Sequence, residues 1–150
     1  MKISTRIVTA LVGFVIAGAA WASGATRAEA QAQVAAAVSH VGKVGVEKAT
    51  QDFNSAAEWK VKGMNVILNN KSGVVLASSL NERLVGKNTL EMKDPTGKAF
   101  VKEMVETATK GEGWVDYQFI NPTSKKLEER SMFVRRVPGT DTFIGVAITK

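Results

Sequence analysis

The sequence predicts an α+β domain, and three observations predict it. The stretch from Gly113 to Ile148 contains three runs rich in aromatic and β-branched residues, separated by Asn121-Pro122-Thr123-Ser124 and by Pro138-Gly139-Thr140-Asp141. Runs of that composition between turn clusters make consecutive antiparallel strands joined by two hairpins. Apolar residues from Gln31 to Phe53 recur at roughly helical spacing. Between these regions an Asn- and Gly-rich turn flanked by apolar runs marks another hairpin, followed by a loop and a second helical stripe. Five antiparallel strands are expected, with a long N-terminal helix on one face and a helical insertion after strand two.

The chain begins with Lys2 and Arg6, then an unbroken apolar or small stretch from Ile7 to Ala20. Ala20-Trp21-Ala22 presents small residues at the two positions a signal peptidase reads, so residues 1–22 are expected to be a signal peptide. Ala28-Glu29-Ala30 is a second, later cleavage site, which leaves residues 31–150 as the domain in either case. A spanning helix wants roughly 20 apolar residues; this run is shorter and contains Gly13 and Gly18, so secretion is favoured over an uncleaved anchor. The absence of Cys excludes a disulfide framework, a thiolate metal site and a cysteine nucleophile. The net charge is +6, and removing two positive charges, Lys2 and Arg6, leaves +4. That balance suits attraction to small acids or an acidic surface. The lysines are scattered and the chain is expected outside the cytoplasm, so nucleic acid is not an expected partner.

In the first helix the stripe is Val34, Val38, Val41, Val44, Ala49 and Phe53, with Glu47 and Lys48 on the polar side. Gly42 and Gly45 weaken it, each by up to ~1 kcal/mol relative to Ala, and also make it a candidate homodimer seam. His40 is the chain's single histidine and reads as a surface or packing residue. Trp59 to Gly63 is irregular. Asn65 to Leu68 and Val74 to Ser78 form a hairpin around Asn69-Asn70-Lys71-Ser72-Gly73. The continuous apolar run Val74 to Ala77 predicts a central strand covered on both faces. Ser79 to Lys93 is a polar loop with Gly86 as a breaker and Met92 as its notable apolar residue. The turn Asp94-Pro95-Thr96-Gly97 leads into a helix with the stripe Phe100, Val101, Met104, Val105 and Ala108, stopped at Gly111. This order suggests a PAS-like sheet, although periodicity alone does not separate it from other α+β sheets.

Asn70-Lys71-Ser72-Gly73-Val74-Val75-Leu76-Ala77, Leu84-Val85-Gly86-Lys87-Asn88 and Lys93-Asp94-Pro95-Thr96-Gly97-Lys98-Ala99-Phe100-Val101 follow one another in a recognisable order. Gly113-Trp114-Val115-Asp116-Tyr117 with Asn121-Pro122, and the closing Gly145-Val146, complete the set. Over nearly all of Val34 to Lys150 the sequence resembles the single Cache domain family, type two, the extracytoplasmic sensor modules of chemoreceptors and histidine kinases. The resemblance implies a PAS-like sheet with a long N-terminal helix. It also implies a pocket on the opposite face for a short organic acid of the acetate, propionate, pyruvate or lactate class. Phe119 stands where the family usually has Trp, and Phe133 where it usually has Tyr, which removes a hydroxyl. Arg130 stands where the family often has Lys, so positive charge is kept. The chain ends right after its last strand, as a free-standing Cache protein would.

The site residues follow from that implied pocket. Val115, Tyr117 and Phe119 share one face of the third strand by the period-two rule, with Trp114, Asp116 and Gln118 on the other. Tyr117 supplies a phenolic donor and Phe119 an apolar sleeve. Arg130 can grip a carboxylate through two parallel charge-assisted hydrogen bonds, and Met92 can close the mouth. Phe133 completes the ligand-binding set. Tyr117 and Phe119 also read as simple core, and Arg130 as a solvated residue paired with Glu128 or Glu129. Strict alternation puts Arg130 and Phe133 on opposite faces, so both line one pocket only if a bulge intervenes. Trp114 reads as structural.

With one isolated His, no Gly-x-Ser-x-Gly elbow and no calcium loop, the sequence reads as a non-enzyme without cofactor or metal. Two functions stand. One is a periplasmic sensor module for a short carboxylate, acting through a membrane receptor or histidine kinase in signalling or chemotaxis. The other is a protein-interaction or scaffold module with a vestigial pocket.

Overall fold

The computed structural model describes residues 24–121 and 123–150. Its elements are α1 (Arg27–Val44), α2 (Val46–Ser55), β1 (Asn65–Asn70), β2 (Val75–Ser78), α3 (Phe100–Thr109), β3 (Glu112–Ile120), β4 (Leu127–Arg136) and β5 (Thr142–Thr149). The five strands form one sheet in the order β2-β1-β5-β4-β3, with every neighbouring pair antiparallel. The α+β expectation holds in strand number, pairing and the placement of both helical regions. The expected signal peptide lies outside the described residues. Among the described residues no helix is long and apolar enough to cross a membrane.

The first helix departs from expectation at both ends. It starts four residues before Gln31, because Thr26 and Glu29 form a reciprocal cap. The Thr26 hydroxyl accepts from the Glu29 N–H at 3.2 Å, and the Glu29 carboxylate accepts from the Thr26 N–H at 2.8 Å, which satisfies two otherwise orphaned donors. It also ends earlier. Gly45 adopts φ +84°, a conformation that glycine enters without steric cost, and the expected single helix becomes α1 and α2. Ala30, Val34, Ala37 and Val41 of α1, with Ala49 and Phe53 of α2, are buried against one face of the sheet. His40 packs where expected: its ring lies 5.2 Å from that of Trp59, and its Nε2 is 2.8 Å from the Asp52 carboxylate.

The first hairpin also differs from expectation. β1 runs two residues further, to Asn70, so the turn occupies fewer residues than the Asn-rich run suggests. The Asn70 side chain accepts from the Val74 N–H at 2.9 Å and the Ser72 hydroxyl at 2.8 Å, an Asx-type closure. β2 is an edge strand, not the central one its apolar run predicts. Its outer edge is covered by chain instead of by another strand. The Val75 N–H donates to the Lys87 carbonyl at 3.0 Å, and the Gly86 N–H donates to the Val75 carbonyl at 2.8 Å. A loop covering an edge produces the same apolar sequence as a flanking strand.

The loop beyond β2 is pinned at two further points. Gly73, at φ +90°, lies so close to Leu90 that a β-carbon would sit 2.6 Å from the Leu90 Cβ. Asp94 then closes the turn before α3. One carboxylate oxygen accepts from the Thr96 hydroxyl at 2.6 Å and from the Thr96 and Lys98 N–H groups; the other accepts from the Gln118 N–H on β3 at 3.1 Å. Those donors, led by the Thr96 hydroxyl, hold the Asp94 carboxyl down at about 2. The sheet therefore has two covered faces, one under α1 and α2 and one under α3 and its preceding loop, each with its own buried cluster.

Candidate functional site

The second face encloses a cavity of about 200 Å³ between the sheet and the α3 region. Alternation along the strands decides its floor. Asn65, Ile67 and Asn69 of β1 face it, as do Phe143, Gly145 and Ala147 of β5, Arg130 and Met132 of β4, and Tyr117 and Phe119 of β3. Phe100, Val101 and Met104 roof it, and Asn81, Leu84, Thr89 and Met92 come from the loop. Gly145 lies close under Met132: a β-carbon there would sit 2.7 Å from the Met132 sulfur, so that side chain would have to shift.

Four of the five expected site residues line this cavity. Tyr117 is 8% exposed and stacks in parallel on Phe100, ring centroids 4.7 Å apart. Burial pushes its phenol up to about 12, against the downward pull of Arg130. Arg130 lies directly opposite Tyr117 in the β3–β4 register, with its guanidinium 4.6 Å above the Phe119 ring. Met92 stands partly exposed at the rim.

Phe133 is the correction. β4 pairs with β3 and β5 in unbroken register from Arg130 to Arg135. No bulge intervenes, and odd spacing turns Phe133 to the helix face. There it packs against Trp114 at 5.2 Å. Trp114 is structural as expected, with the Arg27 guanidinium 4.3 Å above its ring.

The Arg130 guanidinium is already engaged. Its Nη2 and Nε donate to one Glu128 carboxylate oxygen at 2.8 and 3.2 Å. Arg130, first, and Asn121 hold the Glu128 carboxyl below its ordinary range. The fork thus keeps other N–H donors for a ligand, but its positive charge is partly neutralised on the spot.

Sequence reasoning missed Asn69. It is 5% exposed, and its side-chain oxygen is buried without a hydrogen-bond partner among the described residues. The signal was present in the alternation Asn65, Ile67, Asn69, but the neighbouring Asn70-Lys71-Ser72-Gly73 drew Asn69 into the turn. Asn65, by contrast, is satisfied: its oxygen accepts from the Leu80 N–H at 3.0 Å and from the Ser78 and Ser79 hydroxyls. Phe100 and Met104 were legible as part of an apolar stripe but carried no sign of facing a cavity, and Met132 was not singled out.

A sheet of this order, with a pocket under a helical insertion, is a PAS-like α+β fold. The model of the single Cache domain 2 family matches residues 1–149, and the chain belongs to that family. Cache domains are extracytoplasmic ligand-binding signalling modules. Among solved structures, a methyl-accepting chemotaxis protein from Vibrio parahaemolyticus RIMD 2210633 is similar at 17% identity and TM-score 0.67, over 81% of this chain and 86% of that one. The periplasmic sensor domain of a chemotaxis protein matches at 22% identity and TM-score 0.67, over 81% and 93%. A Cache chemosensory domain described in terms of carboxylic acid recognition matches at 18% and 0.65, over 82% and 94%. At these identities the likeness is one of fold. Among proteins of curated function no significant match is found.

Proposed function

We propose that this domain is a periplasmic sensor that binds a small carboxylate and reports its presence to a membrane receptor or kinase. The observation that carries the reading is the Tyr117–Arg130 pair at one end of an otherwise largely apolar cavity. A small acid needs one or two donors for its charged end and an apolar sleeve for its carbons. Phe119 and Met132 supply the sleeve, while Arg130 and Tyr117 supply the donors. The described polar lining consists of amide, hydroxyl and guanidinium groups, which suit binding rather than turnover. The carboxylic acid recognition described for a structural neighbour supports the same chemistry.

The test is a thermal-melt panel of acetate, propionate, lactate, pyruvate and dicarboxylates at matched ionic strength, on wild type and Arg130→Met. A ligand at 100 times its dissociation constant adds ~2.7 kcal/mol of stability, or several degrees for a domain of this size. The expected result is a shift with at least one acid that the variant loses. Spectra of the bound acid before and after incubation should be identical, and conversion to another species would overturn the non-catalytic reading. The Arg130–Glu128 pair favours a second reading, an interaction module with a vestigial pocket, because the cation is already occupied. A flat panel together with a stable oligomer through α1 would support that reading instead.

A further inference from the structure

The pocket has two polar poles, and a two- or three-carbon acid reaches only one. Arg130 pairs with Thr149 of β5, and Asn69 pairs with Phe143 of the same strand. Six residues of β5 separate the two levels, about 20 Å along the strand direction at ~3.3 Å per residue. Glu128, two residues before Arg130 on the same face, holds the guanidinium at the Arg130 end of the cavity. The space between the poles is lined mainly by the apolar side chains of Ile67, Met132, Phe100 and Met104, with Asn65, whose oxygen already accepts from the Leu80 N–H, at the Ala147 level. The cavity volume of about 200 Å³, against roughly 30 Å³ for one molecule of liquid water, exceeds what the four heavy atoms of acetate fill.

Asn69 is the reason to assign a ligand group to the far pole. A buried amide without a partner carries the desolvation cost of that group, and native structures seldom leave such groups unpaired. Neighbouring polar side chains do not relieve it: the Thr89 hydroxyl is committed to the Gly73 carbonyl at 3.1 Å, and the Asn65 oxygen to Leu80 and its neighbours. Resting on the carboxylate reading above, we infer that the cognate ligand is a longer acid with a second hydrogen-bonding group at its distal end, met by Asn69. A carboxamide presents either its oxygen or its NH₂ group, so that distal group is a hydroxyl, a carbonyl or an amide. The apolar middle of the pocket takes the intervening methylenes.

The experiment is calorimetry with straight-chain monocarboxylates of increasing length, each with and without a terminal hydroxyl or amide, on wild type, Asn69→Leu and Arg130→Met. In wild type, one chain length should bind about tenfold or more tightly with the terminal polar group than without it, the consequence of leaving a buried partner unpaired. Asn69→Leu should abolish or invert that preference while keeping the dependence on Arg130. It should also melt no lower than wild type; if it fails to fold, Asn69→Ser, which shortens the reach, takes its place. Arg130-dependent binding with no preference for a distal polar group would overturn this inference alone and assign Asn69 to a buried water. Absence of binding by every acid would overturn the carboxylate reading as well.

Discussion

Tyr117 and Arg130 face each other across β3 and β4 on the pocket side, and the adjoining pair, Asp116 and Ser131, faces the helices. On that opposite face the Ser131 hydroxyl donates to the Asp116 carboxylate, Lys150 donates to the same group at 2.6 Å, and Arg27 of α1 donates to Ser131 at 3.3 Å. A single residue step therefore separates the proposed ligand contacts from the clamp on the first turn of α1.

Ligand binding should consequently be felt at α1. Hydrogen exchange in its first turn is expected to change when a bound acid tightens the Tyr117–Arg130 pair. Arg27→Ala should weaken that response while leaving affinity nearly unchanged, since Arg27 does not line the pocket. Unchanged exchange in α1 at saturating ligand would show that the two faces are uncoupled.

Glu128 competes with any carboxylate for the Arg130 fork. Glu128→Gln should tighten acid binding by up to about fivefold, the scale of a partly exposed ion pair. It should leave the apolar contacts intact. Weaker binding in titration calorimetry would mean that Glu128 orients Arg130 for the ligand instead of competing with it.

Tyr117 is the only tyrosine in the chain, so phenolate absorbance reports on it without interference. Its folded value of about 12 lies above the ordinary 10. The unfolded chain therefore releases this proton first, and stability that is complete below pH 10 should fall as pH rises from about 10 towards 12. The absorbance titration should move towards the ordinary value on denaturation. A midpoint near 10 in the native protein would show that the phenol is solvated.

Gly145→Ala should destabilise the protein by about 1–3 kcal/mol, the usual cost of overfilling a packed site. The new methyl meets the Met132 sulfur, so this cavity-lining side chain must shift, and acid affinity should fall too. Met132→Ala in the same chain should recover part of both losses in a double-mutant cycle. Simple additivity of the two changes would exclude this contact as the cause.

If the chain is exported, the cap of α1 bears on where it is cut. Cleavage after Ala30 would remove Thr26, Arg27 and Glu29, and with them the reciprocal cap, the Arg27–Trp114 stacking and the Glu29–Lys62 ion pair. Cleavage after Ala22 keeps all three. Mass spectrometry of the exported protein should find Ser23 at the N-terminus, and Gln31 there would refute the choice.

Local chemistry in the sequence determined the element order, the three closing strands, the second helix with its Gly111 stop, and the alternation that places Tyr117 with Phe119 and Trp114 opposite them. These follow from periodicity and turn residues, which act over a few positions. Tertiary structure decided what depends on neighbours distant in sequence. It made β2 an edge covered by the Lys87 segment, although an apolar run reads the same under a strand or a loop. It broke the first helix at Gly45, where glycine permits either continuation or a turn and packing chooses. It sent Phe133 to the helix face, since only the unbroken register of β4 against both neighbours could exclude a bulge. It also left Asn69 buried beside an apolar cavity, because whether an asparagine near a turn is solvated depends on the strands and loop that close around it.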